Sequence, residues 1–89
     1  MLDLSYENKF EKDLTLAKKR KKKLEALYNI VMILRNNQQL PPKNRNHKLQ
    51  GTLKNYWECH IESDWLLIYK KTKTNLILSR IGTHSDLFE

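Results

Sequence analysis

The chain is poor in the residues that build several common functional sites. Of its 89 residues one is cysteine, and glycine and proline occur twice each. A single cysteine, Cys59, excludes a disulfide within the chain and a paired-cysteine redox motif, and it suits a reducing compartment. Two glycines are too few for the loops that cradle nucleotide phosphates, and there is no nucleophile-elbow motif. Nucleotide-binding, dithiol and serine-hydrolase sites are thereby excluded.

No long apolar run occurs either. The longest, Trp65 to Tyr69, is far shorter than the roughly 20 residues of a membrane-spanning helix. Charged residues at positions 3, 7, 9 and 11 interrupt the first apolar stretch, so that no secretory signal is visible. We therefore expect a cytoplasmic protein without a membrane segment.

Acidic residues are in the minority. Seventeen Lys and Arg against ten Asp and Glu give a net charge of +7, which favours a polyanionic partner, either nucleic acid or an acidic protein. Six consecutive cations form a basic run: Lys18, Lys19, Arg20, Lys21, Lys22 and Lys23. In contact with RNA this run would bind phosphates without reading sequence, whereas the alternative is an ordinary solvated turn between two helices.

The apolar pattern predicts one α+β domain over residues 1–89. Asn8 is a candidate N-cap of the first helix, and the polar stretch before the last strands is long enough to be a functional loop. In chain order the pattern predicts a strand at 2–6, helices from about residues 9 and 24, a loop at 41–54, and strands at 57–61, 65–70 and 76–83. The expected architecture is β-α-α-β-β-β, with two helices packed on a small antiparallel sheet.

Three histidines, His47, His60 and His84, are the residues best suited to chemistry. Histidine has an ordinary pKa of about 6.5 and can both accept and donate a proton near neutrality. Each one alone is also compatible with a surface or capping role. A metal site is disfavoured because Cys59 and His60 are neighbours on a strand and point to opposite faces.

Strand alternation places Glu58 and His60 on one face of the sheet. On the last strand, residues 76, 78, 80, 82 and 84 share a face if the strand is unbroken. Sequence spacing does not establish whether that face is the one that carries His60. A shared surface with His60, Arg80 and His84 is one of the possible arrangements.

Three linked segments of the sequence resemble the YafQ family of toxins. Residues 47–51 match the family pattern H-x-L-x-G, residues 60–69 match H-I-x-x-D-W-x-L-I-Y, and residues 80–88 match R-x-G-[ST]-H-x-x-L-F. The resemblance implies a microbial-RNase fold, with two helices against a curved antiparallel sheet. It also implies metal-independent cleavage of messenger RNA in the ribosomal A site, without a cofactor.

The resemblance further implies roles for individual residues. The acid–base set comprises His47, His60, Asp64 and His84. Arg80 corresponds to the cation that stabilises the phosphorane, and Phe88 to the residue that places the substrate. We expect His84 to be the acid, while the base is either His60 or Asp64.

Trp65 and Glu58 are weaker substrate-binding candidates, and Trp65 is alternatively a core residue. The sequence departs from the family pattern at Asn46, Leu53 and Ser63, where Asp, Trp and Pro are common. Asn46 in place of Asp would weaken a polar partner that helps to position His47.

The implied partners are an antitoxin with an acidic C-terminal segment, messenger RNA in the A site, and ribosomal RNA. DNA would be contacted only through the antitoxin. The alternatives are a non-catalytic toxin of the same fold, such as the ParE-like toxins directed at DNA gyrase, and a plain RNA- or ribosome-binding module.

Overall fold

Five strands form one mixed sheet in a computed structural model that describes residues 1–88. The sheet order is β1-β5-β4-β3-β2. The strands are β1 (Asp3–Tyr6), β2 (His47–Lys48), β3 (Trp57–Glu62), β4 (Trp65–Lys71) and β5 (Asn75–Gly82). The helices are α1 (Phe10–Lys19), α2 (Leu24–Arg35) and α3 (His84–Phe88), and 3-10 turns lie at Pro42–Asn44 and Gly51–Leu53.

The predicted α+β class, with two helices against a sheet, is confirmed, but the sheet is not wholly antiparallel. β1 pairs with β5 in parallel, with Leu4 opposite Leu76. The sequence did not predict two elements. β2 has only two residues, which is too few to show an alternating pattern, and α3 lies in a segment that was predicted to be a tail. Asn8 does not cap α1, because Lys9 occupies the N-cap position and no side chain there accepts a capping hydrogen bond.

The core lies between the two long helices and one face of the sheet, here called the first face. Its members from the helices are Phe10, Ala17, Leu27, Ile30, Val31 and Leu34, and those from β3, β4 and β5 include Cys59, Ile61, Leu67, Tyr69, Leu76, Leu78 and Ile81. Each fully buried Leu, Ile or Phe side chain stabilises the fold by about 1.5–3 kcal/mol. No helix within residues 1–88 has the length and apolar character needed to cross a membrane.

Cys59 is fully buried on the first face, as strand alternation predicts. Burial raises the pKa of its thiol to about 12, with a smaller contribution from the nearby Glu58 carboxylate. The thiol therefore stays protonated and serves in packing. Trp57, the first residue of β3, is on the same face as Cys59 by strand alternation but is 36% exposed.

Candidate active site

A bulge in β5 determines which side chains share the face of His60. The pairing of β4 and β5 shifts between Ile68, opposite Arg80, and Tyr69, opposite Leu78, so Ser79 is an extra residue. Without it, Arg80 would lie among the core side chains. The bulge instead places Arg80 and the following Gly82 on the second face of the sheet.

His60 lies in a row across three strands of this second face. It pairs with Leu66 of β4, which in turn pairs with Gly82 of β5. The ring nitrogen Nδ1 is 3.2 Å from the carbonyl oxygen of Ser63. A carbonyl can only accept, so Nδ1 donates, and in the neutral ring Nε2 carries the lone pair. Buried Asn44 donates to the His60 carbonyl at 2.8 Å and anchors the strand beneath the ring.

Asp64 and His84 form a hydrogen-bonded pair beside His60. Asp64 lies in the turn between β3 and β4, and His84 is the first residue of α3. The Oδ1 atom of Asp64 accepts from the His84 backbone N–H at 3.1 Å and from its ring Nδ1 at 3.2 Å. These two bonds, the backbone one first, hold the pKa of Asp64 below its ordinary value. The pair is the arrangement in which a carboxylate orients an imidazole and stabilises its protonated form.

The rings around His84 form a compact cluster. The centroid of the His84 ring is 6.1 Å from that of His60 and 6.1 Å from that of Phe88. Phe88 is 43% exposed, which leaves a face of its ring accessible. The structure therefore brings together four predicted site residues, His60, Asp64, His84 and Phe88.

His47 and Glu58 form a second pair on the neighbouring strands. They lie opposite each other in β2 and β3, with Nε2 of His47 at 3.4 Å from Oε1 of Glu58. The Nδ1 atom of His47 donates to the Arg45 carbonyl at 2.8 Å. Glu58 is only 5% exposed, so its carboxylate faces His47 and has little surface for a substrate. Within residues 1–88, neither ring nitrogen of His47 forms a hydrogen bond or ion pair with His60 or His84.

Arg80 is directed at α1 rather than at the cluster. Its Nε donates to Asp13 Oδ2 at 2.7 Å and its Nη2 to Asp13 Oδ1 at 3.0 Å, which raises the pKa of the guanidinium. The backbone N–H of Ile81 also donates to Asp13, at 3.2 Å. The carboxylate compensates the charge of Arg80, so the role predicted for this residue stays a prediction.

The basic run comprises the last two residues of α1 and the turn that leads to α2. Arg20 is already engaged, because it donates to both carboxylate oxygens of Asp86 at 2.7 and 3.3 Å. This ion pair, with a bond from the Thr83 backbone N–H, lowers the pKa of Asp86 to about 2. The remaining exposed cations of the run are Lys18, Lys19, Lys21 and Lys23.

Trp65 lies in the core. Its side chain is 1% exposed, and Lys22 Nζ lies 5.9 Å from the centre of its ring. The burial favours the core role that the sequence left open for Trp65. Its contact with substrate stays a prediction. Lys22 also adds to the electrostatic lowering of the Asp64 pKa.

A signal for α3 was present in the sequence. Thr83 Oγ1 accepts from the Asp86 backbone N–H at 3.2 Å, while Asp86 Oδ2 accepts from the Thr83 N–H at 2.9 Å. This reciprocal pair is a capping box, recognisable as Thr-x-x-Asp in 83–86. The box begins the helix at the residue that carries the imidazole, and so fixes where His84 lies.

Sequence reasoning also missed a cavity beside His60. The 3-10 turn at Pro42–Asn44 lies against the end of β3, and the cavity between them has a volume of about 380 Å³. Its lining residues are Lys43, Asn44, Arg45, His60, Ile61, Glu62 and Ser63. The loop at 41–54 was expected to be functional, but only His47 was singled out within it. Among residues 1–88, no three His, Cys, Asp or Glu side chains are grouped so that they could hold a metal ion.

The fold and the ionisable cluster define a class of protein. The fold of two helices on a small mixed sheet is shared with solved structures of YafQ, alone and in a toxin–antitoxin complex. The chain belongs to the YafQ family, since the family described as "Bacterial toxin of type II toxin-antitoxin system, YafQ" matches residues 2–89. The resemblance seen in the sequence is thereby confirmed.

Named relatives agree with this assignment. The chain is 41% identical over 87 residues to the mRNA interferase toxin YafQ of Escherichia coli K12, covering 97% of this chain and 95% of that protein. The crystal structure of YafQ from E. coli BL21(DE3) matches with a TM-score of 0.93 and 40% identity over all of both chains. The E. coli DinJ–YafQ toxin–antitoxin complex matches with a TM-score of 0.91 and 42% identity, covering 99% of this chain and 98% of that one.

Proposed function

We propose that this toxin is an mRNA interferase that cuts messenger RNA in the ribosomal A site by metal-independent acid–base chemistry. The observation that carries the proposal is the pair of imidazoles, His60 and His84, whose ring centroids are 6.1 Å apart. In each ring Nδ1 is bonded to an oxygen acceptor, which leaves Nε2 to exchange a proton with substrate. Two such groups serve the two oxygens that change protonation during RNA cleavage.

The reaction begins with the ribose 2′-hydroxyl. His60 removes its proton, the 2′-oxygen attacks the adjacent phosphorus, and the bond to the 5′-oxygen breaks as His84 donates a proton to that leaving group. The products are a 2′,3′-cyclic phosphate and a 5′-hydroxyl. Each proton transfer contributes about 10²–10⁴-fold to the rate.

The environments of the groups support this assignment of base and acid. Asp64 is a poor base because its pKa is lowered and Oδ1 already accepts two bonds from His84. The same carboxylate stabilises a protonated His84, as an acid requires. His60 has a carbonyl as its Nδ1 partner, so its neutral ring keeps a lone pair on Nε2 for the incoming proton.

The remaining predicted contacts follow from exposure. Phe88 is accessible beside His84 and can stack on a base of the substrate. The exposed lysines of the basic run would contact phosphates of messenger or ribosomal RNA, with a salt-dependent affinity. The pairing of His47 with Glu58 supports a role in holding the loop beside the cluster. A direct part for His47 in proton transfer stays a prediction.

An antitoxin is the expected protein partner. E. coli YafQ is found in complex with the antitoxin DinJ. We infer that this chain is covered in the cytoplasm by an antitoxin with an acidic C-terminal segment, since the net charge is +7. Contact with DNA would be made by the antitoxin.

Primer extension on a reporter message tests the proposed function. After brief induction in bacteria, the wild type should produce new cuts within translated codons, and His84→Ala should produce none. If growth stops while the message stays whole with both proteins, the nuclease proposal is wrong. A gyrase-directed toxin or a ribosome-binding module would then be the better interpretation.

Replacing Gly82 by Ala should displace α3 and slow cleavage. An added Cβ would lie 2.8 Å from Cβ of Asp86 and 3.2 Å from Cδ2 of Leu87, so the helix must move. A shift of about 1 Å in a catalytic group costs about 10²-fold in rate, and overpacking costs about 1–3 kcal/mol of stability. Cleavage rate and thermal melting measure the two effects. Ser85→Ala, an exposed change in the same helix, is the control, and equal rates for both variants would refute the argument.

A further inference from the structure

The four arginines of the chain differ in what their guanidinium groups contact. Arg20 pairs with Asp86, Arg35 donates from Nε to the Leu2 carbonyl at 2.9 Å, and Arg80 pairs with Asp13. Within residues 1–88, the guanidinium of the fourth, Arg45, makes no hydrogen bond or ion pair. Among the described residues, Arg45 is therefore the arginine whose guanidinium has no partner inside the protein.

Arg45 lies at the cavity that opens beside His60. The lining of that 380 Å³ cavity includes both residues, together with Lys43 and the backbone around Ser63. Glu62 is the acidic residue of the lining, and it forms no ion pair with Arg45 within 4 Å. The cavity thus combines an exposed cation with the imidazole proposed as the base.

The backbone holds Arg45 in an unusual conformation. Its φ of 46° and ψ of 47° lie in the left-handed region, where residues other than Gly, Asn and Asp are uncommon. Its N–H donates to the Pro42 carbonyl at 3.0 Å, and its own carbonyl accepts from His47 Nδ1. Strained residues of this kind concentrate at functional sites, where neighbouring contacts maintain them.

We propose that Arg45 is a further catalytic residue, whose guanidinium binds the non-bridging oxygens of the phosphate that is cleaved and stabilises the charge of the phosphorane. This role rests on the proposed nuclease function. It is the role that family resemblance assigns to Arg80, but Asp13 holds Arg80 through two hydrogen bonds and compensates its charge. A second anion gains less from such a pair than from the uncompensated guanidinium of Arg45.

Single-turnover cleavage on purified ribosomes tests this proposal, with a defined message and an empty A site. At saturating toxin, Arg45→Gly should cut about 10²-fold more slowly than wild type, the loss expected for one group that stabilises a developing anion. Arg45→Lys should recover part of the rate, because an ammonium keeps the charge without the planar fork. Lys73→Ala removes the same charge from an exposed turn at the far end of β4 and should match wild type.

Glycine accommodates the left-handed backbone at position 45, so Arg45→Gly should melt no lower than wild type. Slow cleavage with intact melting supports the proposal. Wild-type rates in Arg45→Gly would overturn it while leaving the nuclease function in place, and so would a change confined to the toxin concentration at half saturation. If neither wild type nor His84→Ala cuts, the proposed function fails and the role of Arg45 fails with it.

Discussion

Replacing His60 by Gln is expected to lower the single-turnover rate of messenger RNA cleavage on ribosomes by about 10²- to 10⁴-fold. Glutamine is similar in reach and its amide can still donate to the Ser63 carbonyl, which now accepts from Nδ1 of the imidazole. It offers no nitrogen that takes up a proton near neutrality. The backbone of β3 should be unaffected, because Asn44 bonds the carbonyl of residue 60 and not its side chain.

The pH dependence of this variant separates a catalytic role from a structural one. The wild-type rate should fall at low pH as the base becomes protonated, and this fall should disappear in His60→Gln. Thermal melting should agree with wild type. If the variant is slow but its cleavage rate still falls at low pH, another group is the base, and Asp64 is the next candidate.

The second large effect is expected from Asp64→Asn, which should slow cleavage by about 10²-fold through His84. The carboxylate now accepts from both the backbone N–H and the ring Nδ1 of His84. An asparagine oxygen can still accept one of these bonds, but it has no charge to stabilise the protonated imidazole and its amide can favour the wrong tautomer.

Asp3→Asn is the matched control for this variant. Asp3 is an exposed carboxylate on the edge strand β1, remote from the ring cluster, and its loss makes the same change in net charge. Its rate and its pH profile should equal those of the wild type. If Asp64→Asn also behaves as wild type, the bonds between Asp64 and His84 have no role in catalysis.

The candidate site was only partly predictable. Local motifs indicated His60, Asp64 and His84, because each lies in a short segment whose residue types and spacing are distinctive. The same motifs could not indicate that Arg80 is held by Asp13, 67 residues away in the chain, nor that Trp65 is enclosed by the core. Burial and ion pairing depend on elements remote in sequence, and strand alternation carries no information about them.

Arg45 is a residue that the sequence could not indicate and the tertiary structure did. It was not singled out, since an arginine in a polar loop is an ordinary surface residue by sequence. Its left-handed backbone and the bond from its carbonyl to His47 exist only once the 3-10 turn and β2 have formed. The cavity that it shares with His60 has no counterpart in the sequence pattern.

The sequence by itself determined the α+β class, the two amphipathic helices, the three long strands and the residues able to transfer protons. These features depend on local periodicity and on side-chain chemistry, both of which can be determined from residues that are close together in the sequence. The tertiary structure alone decided which of those residues meet. The bulge at Ser79 moved Arg80 and Gly82 to the second face of the sheet, and the capping box placed His84 over Asp64. Register and docking are set by packing across the whole chain, because a one-residue shift in pairing reverses the face of every side chain beyond it.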